Sequence, residues 1–116
     1  MSDCTKRNEE FLRQLKTKKI EKRQELINSA SLDNLTALSE IAHNTLKGNI
    51  PLKEHQKRKL KKEREFVRQL ANTKISKKKK RVLLVLNSKI IPFLITPFLS
   101  AIGTISGKLI CSSLNL

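Results

Sequence analysis

Charge is divided along this chain so unevenly that it limits every fold the chain could adopt. Residues 1–50 carry 9 basic and 7 acidic residues, residues 51–81 carry 14 and 3, and residues 82–116 carry 2 and 0. Eleven of the fifteen net positive charges therefore fall within 31 residues. Just beyond them, Ile90 to Gly107 make 18 residues without a charge. An even solubility coat does not segregate its charge in this way. Mutual repulsion in the basic run opposes compaction, while the same charge attracts a polyanion such as DNA, RNA or anionic lipid. A solvated basic coat is the plainer alternative. By composition the chain divides into a basic, amphipathic N-terminal helix (1–30), a helical basic region (31–87) and an apolar C-terminal tail (88–116).

Periodicity predicts an all-α fold of four to five short helices, a small bundle with one basic helix and an apolar C-terminal helix. In the first helix, over 5–28, Phe11, Leu15, Leu26 and Ile27 recur at roughly helical spacing, interrupted by Lys19 and Lys22. Over 32–47 the pattern is cleaner. Leu32, Leu35, Leu38, Ile41, Ala42 and Leu46 share one face, with Asp33, Glu40, His43 and Lys47 opposite. Ser31 suits an N-cap, and Gly48 followed by Pro51 suits a stop. A third helix, over 53–72, gathers Leu60, Phe66, Val67 and Leu70 within an arc of roughly 120°. Its opposite half carries Lys53, Lys57, Arg58, Lys61, Lys62, Arg64 and Arg68, with Lys59 and Glu63 at the margins. Ser76 would cap a further short helix over 77–87.

A helix with a dry back and a row of cations can pack and still follow a phosphate backbone without reading bases. The candidate nucleic-acid contacts are Lys57, Arg58, Lys59, Lys61, Lys62, Arg64 and Arg68, then Lys77, Lys78, Lys79, Lys80 and Arg81. The second group sits at the positive end of its helix dipole, where cations are unfavourable, so the charge is expected to serve something outside the helix. Aromatic residues are only Phe11, Phe66, Phe93 and Phe98. With so few stacking platforms, phosphate contact is the expected mode, and single-strand stacking is not. Lys77–Val82 also resembles the short basic nuclear import signal of the polyomavirus large tumour antigen.

The apolar segment would span about 27 Å as one helix, slightly short of a bilayer core. Pro92 suits a helix start, whereas Pro97 would kink a helix unless that helix begins near Thr96. Ile91, Pro92, Phe93, Leu94, Pro97, Phe98, Gly103 and Gly107 are the candidates for membrane contact or self-association. Gly103-x-x-x-Gly107 would allow two helices to approach closely. A transmembrane span, a buried core helix and an oligomer contact all remain open.

Nothing in the sequence suggests an enzyme or a bound cofactor. His43 and His55 are isolated from metal-ligand spacing, and phosphate-binding or nucleophile-elbow motifs are missing. Cys4 and Cys111 lie near opposite ends, outside any C-x-x-C, and are expected to be reduced thiols. The N-terminus lacks the apolar stretch of a secretory signal.

Four stretches together carry a family resemblance. They are Asn44–Leu52, Gln56–Leu60, Lys74–Arg81 and Ile91–Leu99. In this order they resemble a family of small virion core proteins encoded by Maverick/Polinton-type elements and the related adintoviruses, akin to the precursor of the adenovirus mu core peptide. The resemblance covers roughly residues 26–108. It implies that the Lys/Arg residues of 57–62 and 77–81 contact packaged double-stranded DNA, in a virion core or host nucleus. The apolar tail would meet capsid protein, another copy of the chain or a membrane. The chain departs from the family in having Lys53 and Glu54 where a Ser/Thr cap and a Pro are expected, and Ser88-Lys89 in place of a Gly pair. It is also rich in Lys and helix formers, where mu is rich in Arg and Gly, which favours a folded helical presenter.

Overall fold

Seven helices form among the described residues, 6–102 of the computed structural model, and no strand is present there. They are α1 (Glu9–Thr17), α2 (Ile20–Asn28), α3 (Leu32–Leu46), α4 (Glu54–Lys62), α5 (Arg64–Ala71), α6 (Lys77–Leu86) and α7 (Ile91–Ile102). The all-α expectation holds, but four to five helices become seven, because two expected long helices are each broken.

The first break falls at Lys18 and Lys19, whose backbones are extended. It frees carbonyls at the end of α1, and the Arg23 guanidinium takes up those of Leu15 and Lys18. The second falls at Glu63, with φ −108° and ψ 24°. There the Glu63 N–H turns back three residues to the Leu60 carbonyl. This break redirects the chain: α5 packs on α3, while α4 packs on α7. Leu60 and the trio Phe66, Val67 and Leu70 can then be buried against different partners.

Local chemistry sets the ends of α3 as expected. Ser31 Oγ accepts from the Asn34 N–H at 3.0 Å, and Asn34 Oδ1 accepts from the Ser31 N–H at 2.9 Å, a reciprocal cap. At the other end Gly48 adopts φ 77°. Its N–H reaches the Thr45 carbonyl while that of Asn49 reaches the Asn44 carbonyl, satisfying two orphan acceptors. Lys53 cannot accept a hydrogen bond through its side chain, so α4 has half a box: Gln56 Oε1 accepts from the Lys53 N–H at 2.9 Å.

One core joins all three compositional segments. Leu12 and Leu15 enter from α1, Ile27 from α2, Leu35, Leu38 and Ile41 from α3, Leu84 from α6, and Ile91, Leu94 and Ile95 from α7. Each such side chain contributes about 1.5–3 kcal/mol when fully buried. The expected face of α3 needs one correction, since Leu32 is 64% exposed. It is the first residue of the helix, and the buried arc instead takes in Ala37 and Thr45. The arc is wide because α3 packs against α5, α6 and α7.

The described part of the apolar tail is a core helix. α7 lies against α1, α3 and α4, and it does not begin near Thr96. Pro92 sits in its first turn, where a missing N–H leaves nothing unpaired, and Pro97 lies inside the helix. No single helix among the described residues is long and apolar enough to cross a membrane. α6 and α7 reach that length only together, and they meet at a bend of 105°.

Candidate polyanion-binding face

The fold sorts the cations of 51–81 into two kinds. On α4 and α5, Arg58, Lys59, Lys61, Lys62, Arg64 and Arg68 are exposed and Lys57 is half-buried. Arg58, Lys61, Lys62, Arg64 and Arg68 are exposed where Leu60, Phe66, Val67 and Leu70 are buried, so the two-faced pattern continues on both sides of the break at Glu63, with Lys57 and Lys59 at its margins. Lys59 Nζ stands 5.4 Å from the centre of the Phe93 ring. Its charge thereby gains a weak cation–π contact while remaining at the surface.

The expectation of a compact, outward cluster at 77–81 is corrected. Only Lys78 and Lys79 are exposed. Lys80 is 2% exposed, and its ammonium donates to Ser39 Oγ at 2.9 Å. Burial, then the charge of Lys77, holds Lys80 below the ordinary lysine range. Lys77 Nζ donates to Thr36 Oγ1 at 2.5 Å. Arg81 donates through one nitrogen to the carbonyls of Ile27 at 2.7 Å, Asn28 at 3.2 Å and Ala30 at 2.8 Å. A cation at the carboxyl end of α2 also complements that helix dipole. Three of the five cations thus fasten α6 to α3 and α2. The physical reason lies just beyond them: Leu84 must reach the core, and the helix that carries it inward carries Lys80, one turn earlier, on the same face.

Sequence reasoning missed Arg23, which is 7% exposed. Its guanidinium donates to the carbonyls of Leu15 at 2.8 Å, Lys18 at 2.9 Å and Ser88 at 2.6 Å. It thereby ties the α1–α2 break to the α6–α7 turn. Burial lowers its pKa, but a guanidinium stays charged at any working pH. The one available signal was an arginine in a stretch otherwise basic through Lys16, Lys18, Lys19 and Lys22. Three converging carbonyls need a planar fork of donors, which lysine does not offer.

In the N-terminal part, cations meet carboxylates within the fold: Arg7 with Asp33 at 2.9 Å, Arg13 with Glu9 at 3.2 Å and Lys22 with Glu25 at 3.3 Å. In the basic run carboxylates are scarcer in the sequence itself. Once Lys77, Lys80 and Arg81 are set aside, 51–81 still holds eleven cations against Glu54, Glu63 and Glu65.

The proposed membrane or self-association residues have a different fate. Ile91, Leu94, Pro97 and Phe98 are buried within the chain's own core, and Pro92 and Phe93 are half-buried. Gly103 and Gly107 lie outside the described residues, as do Cys4 and Cys111. Among the described residues, the large apolar side chains that do face outward are Leu32, Val82 and Leu86. Comparison with protein-family models, with curated proteins and with solved structures finds no match for this chain.

Proposed function

We propose that the protein binds and condenses double-stranded DNA without regard to sequence, as a virion core protein of viral or transposon origin. The observation that supports this most is the surviving excess of exposed cations on α4 and α5, with few carboxylates to neutralise it. Flexible cations on two consecutive helices can each neutralise a phosphate and release its counterion. The scarcity of aromatic side chains argues for contact with the backbone over stacking on bases. The viral assignment rests on the resemblance at Asn44–Leu52, Gln56–Leu60, Lys74–Arg81 and Ile91–Leu99. An import signal at Lys77–Val82 draws less support, because Lys77, Lys80 and Arg81 are engaged within the fold. Fluorescence anisotropy on two unrelated duplexes of equal length tests the reading. Affinities within about twofold of each other are expected, and a preference of a hundredfold or more, worth about 2.7 kcal/mol, would sink it.

A second reading is favoured by one observation. Val82 and Leu86, 54% and 75% exposed, follow Lys78 at four-residue intervals along α6. An apolar stripe edged by Lys78, Lys79 and Lys89 suits the interface of an anionic membrane. Flotation with phosphatidylserine vesicles, lost in Val82→Asp/Leu86→Asp, is the expected outcome of that reading. Absence of flotation by the parent chain removes it.

A further inference from the structure

Four consecutive lysines at the amino end of α6 oppose their own helix dipole. Two of them, Lys77 and Lys80, are turned away from solvent toward α3. They line a cavity of about 350 Å³ bounded by α3, the end of α5, the α5–α6 loop and α6. That volume is at the small end of ordinary ligand sites. The two lysines are three residues apart and so neighbours on the helix surface. An ammonium has three donors. Thr36 Oγ1 takes one from Lys77, and Ser39 Oγ takes one from Lys80.

The cavity holds one carboxylate, Glu40, which forms no ion pair with either lysine. Lys80 is thus nearly fully buried beside a like charge, with the neutral Ser39 hydroxyl as its partner. Its lowered pKa, caused by burial and by Lys77, has the same origin. An anion between the two ammoniums would relieve both the desolvation and the repulsion. His43, on the same wall, offers a further donor. Ala71 and Ile75 supply an apolar side that an inorganic ion alone would not need.

We infer that this cavity binds a small oxyanion of the phosphate class, held by the remaining donors of Lys77 and Lys80, while Thr36 and Ser39, whose hydroxyls donate to the Leu32 and Leu35 carbonyls, position the two ammoniums. The site is distinct from the outward face of α4 and α5, since it uses the cations which that face lacks.

The test is an amide-resolved NMR titration of the full chain with sodium phosphate against sodium chloride at constant ionic strength. Saturable shifts at Thr36, Ser39, Lys77 and Lys80 are expected, with a Kd of about 1 mM or tighter. Lys77→Gln should weaken binding about tenfold, while Glu40→Gln should tighten it by removing a nearby negative charge. If Lys77→Gln does not fold, Glu40→Gln and Thr36→Val supply the comparison. Two further arms separate sources of the same chemistry. Tighter binding of phenyl phosphate assigns the apolar wall to a monoester. A duplex that shifts the same amides and is displaced by phosphate assigns the site to the nucleic-acid backbone. Shifts that do not saturate, that fall on α4 instead, or that ignore both Lys77→Gln and Glu40→Gln overturn the inference.

Discussion

Replacing Arg23 with methionine tests how the fold is held together. Methionine keeps most of the volume and removes every donor, leaving the carbonyls of Leu15, Lys18 and Ser88 without the bonds they receive at 2.8, 2.9 and 2.6 Å. Hydrogen bonds to a charged group contribute about 1.5–3 kcal/mol each. The three are not additive, because the variant no longer has to desolvate a guanidinium. A loss of about 3–5 kcal/mol follows, a large share of the roughly 5–15 kcal/mol that stabilises an ordinary domain. At about 4 °C per kcal/mol for a chain of this size, the melting temperature should fall by about 12–20 °C. The chain has no Trp or Tyr, so far-UV circular dichroism of the helical signal is the suitable assay. Arg23→Lys retains the charge but not the fork and should fall between the two. Arg58→Met, on the exposed side of α4, should stay within about 0.5 kcal/mol of the parent. If Arg23→Met melted with the parent, the clamp between the α1–α2 break and the α6–α7 turn would be refuted.

Other consequences follow from single positions. Gly48→Ala forces a Cβ into the left-handed region at φ 77° and should cost about 1–2 kcal/mol in urea denaturation; an unchanged midpoint contradicts that account of the α3 terminus. Burial and Lys77 disfavour the charged form of Lys80, so the folded protein releases this proton before the unfolded chain does. Stability should therefore rise with pH from the lowered folded value toward the ordinary 10.5. Lys80→Met should lose that component, so a stability difference from the parent that is flat across this alkaline window would argue against a buried ammonium. Lys61→Glu/Lys62→Glu should weaken binding to all duplexes alike and reduce the salt slope by about 2, with the circular dichroism spectrum unchanged. A loss confined to some sequences would point to base readout.

Much of this fold was legible where short-range chemistry decides it. Ser31 and Ser76 cap α3 and α6, and the Ser76 side chain accepts from the Lys79 N–H at 3.2 Å. Gly48 ends α3 by its positive φ, and the outward row on α4 and α5 followed from a simple angular count. The breaks at Lys18–Lys19 and Glu63 were not legible, because tertiary partners supply what those turns need: Arg23 in one case, the divergence of α4 toward α7 in the other. The basic run misled for a related reason. Charge density along a sequence does not say which cations a helix must carry inward, and Lys80 goes in because Leu84 does. The uncharged segment could not be told from a membrane span by composition. Ile91, Leu94, Ile95 and Phe98 are apolar enough for either solvent, and only their packing against α1, α3 and α4 identifies a core helix. Truncation before α7 would therefore remove core side chains, which makes point changes on α6 the cleaner probe of any membrane contact.

The central claim is that exposed cations of α4 and α5 bind duplex DNA by displacing counterions. It is tested most directly by the binding constant of the unmodified chain for one random-sequence duplex between 50 and 200 mM salt, about the range over which such contacts change most. Six neutralised phosphates predict a slope of log K against log salt near −5 and a loss of about a thousandfold across that range. A flat slope, or no binding at the lowest salt, would contradict the claim.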